Sequence, residues 1–159
     1  MGEGPSELIM LTTGLIVAAL VSSVLLTTWD SMSQGLENQG DQAIKDAKTR
    51  ASLVNDPSSI TWSNVDDQAN IFLQNSGKIS LNIDQTYIVL NGEIMTLTPI
   101  GTEGITWSTG VVVQFQINAA TDITLSDDTP YFLNIGVSSL SVSPTGTYSF
   151  SEVVRLDIP

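Results

Sequence analysis

Asp122, Asp127 and Asp128 fall within one stretch, TDITLSDDT, the nearest this chain comes to a cation site. Calcium asks for about six to eight oxygens in fixed geometry. These three positions match no EF-hand spacing, so no metal is assigned to them. A Ser/Lys dyad would need an amine held out of water. Lys45, Lys48 and Lys78 stand in polar sequence contexts and read as surface charges. The 159 residues contain no His and no Cys. Imidazole acid/base chemistry, imidazole- or thiolate-bound zinc and a disulfide framework are therefore closed. There is no phosphate loop, no GxSxG elbow and no dinucleotide fingerprint. The expectation is a protein that is not an enzyme, with no cofactor and no small-molecule substrate.

Charge narrows the partners. Seventeen acidic residues against five basic ones give a net charge of −12. Such a surface repels nucleic acid, so no nucleic-acid partner is expected. The acids are scattered singly apart from Asp66-Asp67 and Asp127-Asp128, so they form no acidic tail. No Asn-x-Ser/Thr sequon is present.

The element that dominates the chain lies at its start. Leu8–Trp29 reads LIMLTTGLIVAALVSSVLLTTW, uncharged and mostly apolar. As a helix it spans roughly 30 Å, the thickness of a bilayer's hydrocarbon core. Its destination is lipid or the packed centre of a helical assembly. The leader MGEGPSE carries two acids and no base, which argues against a secretory signal, so the helix is expected to be retained. The positive-inside rule is nearly silent, because the first Lys is Lys45; a β-rich body favours the outside. Glu7, at the apolar edge, either snorkels to the interface or pairs with an amine of a neighbouring subunit. Leu8, Ile9, Leu11, Leu15 and Leu25 supply apolar packing surface. Gly14, Ala18 and Ser22, with Ala19 beside them, form a small-xxx-small ridge that suits self-association of helices. Trp29 closes the run as an interface anchor.

From Asp30 the composition turns polar, DSMSQGLENQGDQAIKDAKTRA, with a thin apolar stripe. Asp41 and Lys45 form an i,i+4 pair of favourable order, and Gly35 and Gly40 weaken the helix. The reading is a frayed or bent helical stalk ending near Asn55-Asp56-Pro57. Beyond Pro57 the period becomes two. ITWSNV, NIFLQNSG, ISLNID, TYIVLNGE, EIMTLTPI, GITWSTG, VVVQFQI, YFLNIGVSSLSV and YSFSEVVRLDI read as short strands, with Asn91-Gly92 as a hairpin turn. Trp62 and Trp107 read as core. The fold class is α+β: a long N-terminal hydrophobic α-helix, then an antiparallel immunoglobulin-like β-sandwich. The expected division is residues 1–29 for the transmembrane or filament-core helix, 30–57 for the stalk and 58–159 for the sandwich.

An apolar N-terminal helix with a Glu just before it, joined to a β-sandwich, resembles the plan of archaeal type IV pilin-like proteins. The segment PSELIMLTTGLIVAALVSSVLLTTWDSMSQGLENQGDQ is similar to the start of the archaellar G component, the FlaG family, with its Ser-Glu-Leu-Ile opening. Asn55-Asp56-Pro57 resembles the end of that family's helix. NIFLQNSGKISLNIDQTYIVLNGE resembles its paired strands, with Asn75, Gly77, Asn91 and Gly92 at the turns. Two features depart. Archaellins often open Gly-Ile-Gly-Thr where this chain has Gly-Pro-Ser-Glu, and no Lys/Arg-Gly peptidase pair precedes the helix. Either the chain is not cleaved or a leader precedes it. The resemblance implies a non-enzymatic structural component of the archaellum at the archaeal cell surface. It would be membrane-tethered with the sandwich outside, contacting membrane lipid, an archaellar F-type component and the surface-layer protein. The alternative is a filament subunit, an archaellin or pilin, whose N-terminal helices form an extracellular filament's core.

Overall fold

Helix α1 covers Glu3–Lys48 in the computed structural model, which describes residues 3–120, 123, 125–141 and 143–159. Nine strands follow: β1 Ala51–Leu53, β2 Ile60–Ser63, β3 Gln68–Asn75, β4 Leu81–Leu90, β5 Glu93–Ile94, β6 Thr96–Ile100, β7 Val112–Asn118, β8 Pro130–Ser139 and β9 Thr147–Asp157. The chain divides into two compact units, α1 up to Gly40 and Asp41–Pro159.

The first unit is bare helix. It is rich in Val, Ile and Thr, whose β-branched side chains give up χ1 freedom in a helix. The hydroxyls answer their own backbone. Thr12 and Thr13 donate to Leu8 O and Ile9 O at 2.9 and 2.7 Å, and Thr28 and Ser31 to Val24 O and Thr27 O at 2.8 and 2.9 Å. A hydroxyl satisfied in this way needs no partner from its surroundings, which suits a water-free environment.

The second unit is a sandwich of two mostly antiparallel sheets. In one, β1 and β2 share an edge of β3, and β7 and β6 continue on its other side. The other sheet runs β5-β4-β8-β9. A short parallel pairing of β2 with β9, Ile60 opposite Leu156, stitches the two together. Alternation places the core. Ala69, Ile71 and Leu73 of β3 and Val113, Phe115 and Ile117 of β7 point inward, as do Leu133, Ile135 and Val137 of β8. Burial of side chains this size contributes about 1.5–3 kcal/mol each. Trp62 and Trp107 are both buried, and the Trp107 ring lies 5.6 Å from that of Phe115.

The fold class stands as read, with differences in detail. The runs expected at Ile79–Asp84 and Thr86–Glu93 are largely one strand, β4, interrupted by a register shift between Asn82 and Tyr87. The shift explains the two apparent phases: Leu81 and Ile88 both face inward although they are seven positions apart, an odd spacing. Asn91 and Gly92 turn the β4–β5 hairpin with φ of 51° and 88°, the left-handed pair a two-residue loop demands. EIMTLTPI is divided at buried Met95, with β5 in one sheet and β6 in the other. GITWSTG is a loop rather than a strand. It carries one isolated bridge, Leu81 to Trp107, rather than a ladder, and Gly104 and Gly110 on either side hold positive φ. The Trp107 side chain fixes it by burial instead of by ladder pairing.

The helix also ends earlier than expected, at Lys48 rather than near Asn55–Pro57, and it continues through Gly35 and Gly40. Ala51 already pairs with Asn75. Asn55-Asp56-Pro57 is a turn between β1 and β2, in which Asp56 Oδ1 accepts from Ser58 Oγ at 2.7 Å and from Ser58 N at 2.9 Å.

Candidate functional site: the apolar helix and its socket

The residues singled out from the sequence all lie on α1. Glu7, Leu8, Ile9, Leu11, Gly14, Leu15, Ala18, Ala19, Ser22, Leu25 and Trp29 are exposed in the single chain. Leu25 keeps 64% of its surface open and Trp29 70%. None of the most apolar window of the helix is buried. At roughly 25 cal/mol per Å², this uncovered surface is a large driving force toward lipid or toward other helices. A Cβ placed on Gly14 would meet nothing within 4 Å, so among the described residues nothing packs on the small-residue ridge at that point.

The last turns of α1, from Asp41 on, sit in a socket that sequence reasoning missed. Lys45, read as a solvated surface charge paired with Asp41, instead donates its ammonium to Ser141 Oγ at 2.8 Å and Pro144 O at 2.9 Å. Those acceptors lie in the β8–β9 connection, and their pull outweighs a solvated helical pair worth a few tenths of a kcal/mol. Gln42 Nε2 donates to Thr145 O at 2.8 Å, and Asp46 Oδ1 accepts from Thr147 N at 2.7 Å. On the other side, the β3–β4 connection caps the helix end. Lys78 N donates to Lys48 O at 2.8 Å, and Ser76 N and Gly77 N both donate to Arg50 O at 3.1 Å. The terminal Lys48 carbonyl, which lacks an intrahelical partner, is thus answered by a backbone N–H group. Thr49, fully buried, closes the last turn onto Lys45 O through its hydroxyl at 2.8 Å.

Two glycines let the loops approach this closely. A Cβ on Gly77 would stand 2.3 Å from Lys48 O, and one on Gly146 would stand 2.3 Å from Thr49 Oγ1. Beneath them lies Asn75, expected from sequence to be a turn residue and found fully buried. Its Nδ2 donates to Ile79 O at 2.9 Å and Trp107 O at 2.8 Å, and its Oδ1 accepts from Gly77 N at 2.9 Å. One side chain therefore ties the socket loop to the Trp107 loop. No pattern in the sequence marks Gly146 or Thr49. The Asn-Ser-Gly at 75–77 was the one available signal.

Asp122 lies outside the described residues. Asp128 is engaged by Arg155 at 2.7 Å, and Asp127 Oδ1 accepts from Ile158 N at 3.4 Å. Among the described residues, no three His, Cys, Asp or Glu side chains are grouped to hold a metal ion.

The two features that stand out are thus an uncovered apolar helix and, in the second unit, a β-sandwich that grips the last helical turns. Comparison with known sequences is specific. The archaeal-type flagellin family model matches residues 2–158, and the chain belongs to that family. It is an archaellum-related protein, of a family found at the cell surface or in the membrane. Among curated proteins it is 34% identical over 83 residues to the "Putative flagella-related protein G" of Methanococcus voltae, covering 52% of this chain and 55% of that one. It is 24% identical over 94 residues to the protein of the same name in Methanocaldococcus jannaschii, covering 58% and 61%. The chain thus spans a little over half the length of the curated relatives it matches.

Proposed function

We propose that this chain is a non-enzymatic structural component of the archaellum, tethered in the membrane by its N-terminal helix, with the β-sandwich outside. Residues 1–29 are the anchoring segment, the remainder of α1 to Lys48 is the stalk, and the projecting body starts at β1 rather than at residue 58. The supporting observation is the uncovered apolar helix: Leu8–Trp29 matches a bilayer core in length and buries none of its apolar window within the chain. The relatives called flagella-related protein G point the same way. Glu7 sits at one interface and Trp29 at the other. The Gly14-Ala18-Ser22 ridge, flanked by Ala19, Leu11, Leu15 and Leu25, is the surface through which helices associate. An F-type archaellar component and the surface-layer protein are its partners. The socket around Lys45 and Thr49 holds the sandwich to the helix end, so that force applied to one reaches the other.

A second reading, a filament subunit with these helices in the filament core, is favoured by a family match that runs almost the length of the chain. Cell fractionation separates the two. The first expects the protein in membranes, released by detergent, with the sandwich cleaved by protease added to intact cells. Recovery in sheared filaments as a polymer overturns it in favour of the second. Recovery of the full chain as a dissolved monomer overturns both.

A further inference from the structure

The chain's five basic residues are not spread over its surface. Lys45, Lys48, Arg50 and Lys78 gather where α1 meets the sandwich, and only Arg155 lies elsewhere. Lys45 is engaged within the socket. Lys48, Arg50 and Lys78 line an open concavity of about 370 Å³ floored by Ile44 and Ala47. Among the described residues, the Lys48 and Lys78 ammoniums make no hydrogen bond or ion pair, while the Arg50 guanidinium stacks 4.8 Å over the Tyr148 ring. Three cations crowded together without counter-charges, in a protein carrying seventeen acids, repel one another unless an outside anion is present.

Lys48 lies nineteen positions beyond Trp29, the expected interface anchor, with polar sequence between them, which favours a protein partner over lipid headgroups. The matching surface belongs to the chain itself. Residues 1–40 contain Glu3, Glu7, Asp30 and Glu37 and no base. Asp30, Glu37 and Asp41 recur at spacings of seven and four, which sets them on one helical face, and all three are exposed.

We propose that the Lys48–Arg50–Lys78 concavity docks the acidic Asp30–Glu37–Asp41 face of a second copy of this chain. The inference rests on the filament-type reading, in which helices pack on one another. It specifies the packing: setting Glu37 or Asp41 opposite Lys48 requires an axial stagger of about 10–16 Å between neighbouring helices. Exposed Ile44 adds an apolar contact at the centre of the charged ring.

The test uses the full chain, assembled by dilution from detergent, with polymer measured by pelleting. Charge reversal in Lys48→Glu/Lys78→Glu is expected to raise the critical concentration about tenfold at low salt, and much less at high salt. Reversal in Glu37→Lys/Asp41→Lys should do the same, and the chain carrying both sets should return to near the native value. Because the native chain has no cysteine, Glu37→Cys with Lys48→Cys should also give a ladder of intermolecular disulfides. Native polymer that is indifferent to either reversal, or a combined variant as defective as its parents, overturns the docking. A native chain that forms no polymer overturns the filament reading itself, and the two failures are told apart by that control. All reversed positions are exposed, and a circular dichroism melt of each variant confirms folding.

Discussion

Asn75→Ala tests whether the socket is held by one buried amide. Three hydrogen bonds are lost, to Ile79 O, Trp107 O and from Gly77 N. Trp107 O still accepts from Leu81 N at 2.9 Å, and Gly77 N still donates to Arg50 O at 3.1 Å. Ile79 O is therefore the group left most exposed to loss. At about 1 kcal/mol per bond, plus about 1–2 kcal/mol for a stranded buried carbonyl, the cost is about 4–5 kcal/mol. In a domain of this size that lowers Tm by about 10–20 °C. Asn75→Asp is the sharper variant, because it faces a carboxylate oxygen toward two carbonyl oxygens. Burial and these acceptors favour the protonated acid, raising its pKa in the folded state. A raised carboxyl pKa means the folded state binds more protons, so the deficit relative to the native chain is full at neutral pH and shrinks as pH falls into the acid range. The assay is thermal unfolding of the full chain in detergent, followed by tryptophan fluorescence and repeated from pH 4 to 8. Losses below about 1 kcal/mol for both variants, or an Asp variant with no pH dependence beyond the native one, would refute the argument that Asn75 is the tie.

Three further outcomes are expected. Gly146→Val and Gly77→Ala should each cost at least about 2 kcal/mol and increase amide exchange in residues 42–50, because the new side chain meets helix-end atoms that cannot move aside; the cost of Gly92→Ala, at an open hairpin position, should stay near about 1 kcal/mol. The Asp56 carboxyl is held below its ordinary pKa by the Ser58 hydroxyl first and the Ser58 N–H second, so Ser58→Ala should move its NMR titration upward; the small stabilisation it gives is present above the unfolded-state pKa and lost as pH falls through the folded one. Asp128→Asn should change stability by less than about 1 kcal/mol in a urea melt, since its partner Arg155 is 47% exposed and Asp128 itself 81% exposed.

Much of the fold was legible because local periodicity carries it. The apolar run Leu8–Trp29 is helical by composition, and the strands β3, β7, β8 and β9 announce themselves by alternation. Asn91-Gly92 names its own turn, because few other residue pairs accept left-handed backbone twice in succession. The bulge in β4 was misread as a strand boundary, since a register shift reverses the alternation just as a turn would. GITWSTG alternates like a strand, yet its glycines and the buried Trp107 ring hold it as a loop.

By itself, then, the sequence determined the two parts of this protein: a helix that must be covered by something apolar, and a sheet-built body with no means for His- or Cys-based chemistry. Only the tertiary structure decided how the helix end is held. The socket joins Lys45, Thr49, Asn75, Gly77, Ser141 and Gly146, which are far apart along the chain. Their importance comes from carbonyls and glycines meeting at close range, and such contacts are set by where the loops are placed rather than by side-chain type. The same placement gathers four of five cations at one end of the sandwich, a charge asymmetry that the separate sequence positions Lys45–Arg50 and Lys78 do not reveal.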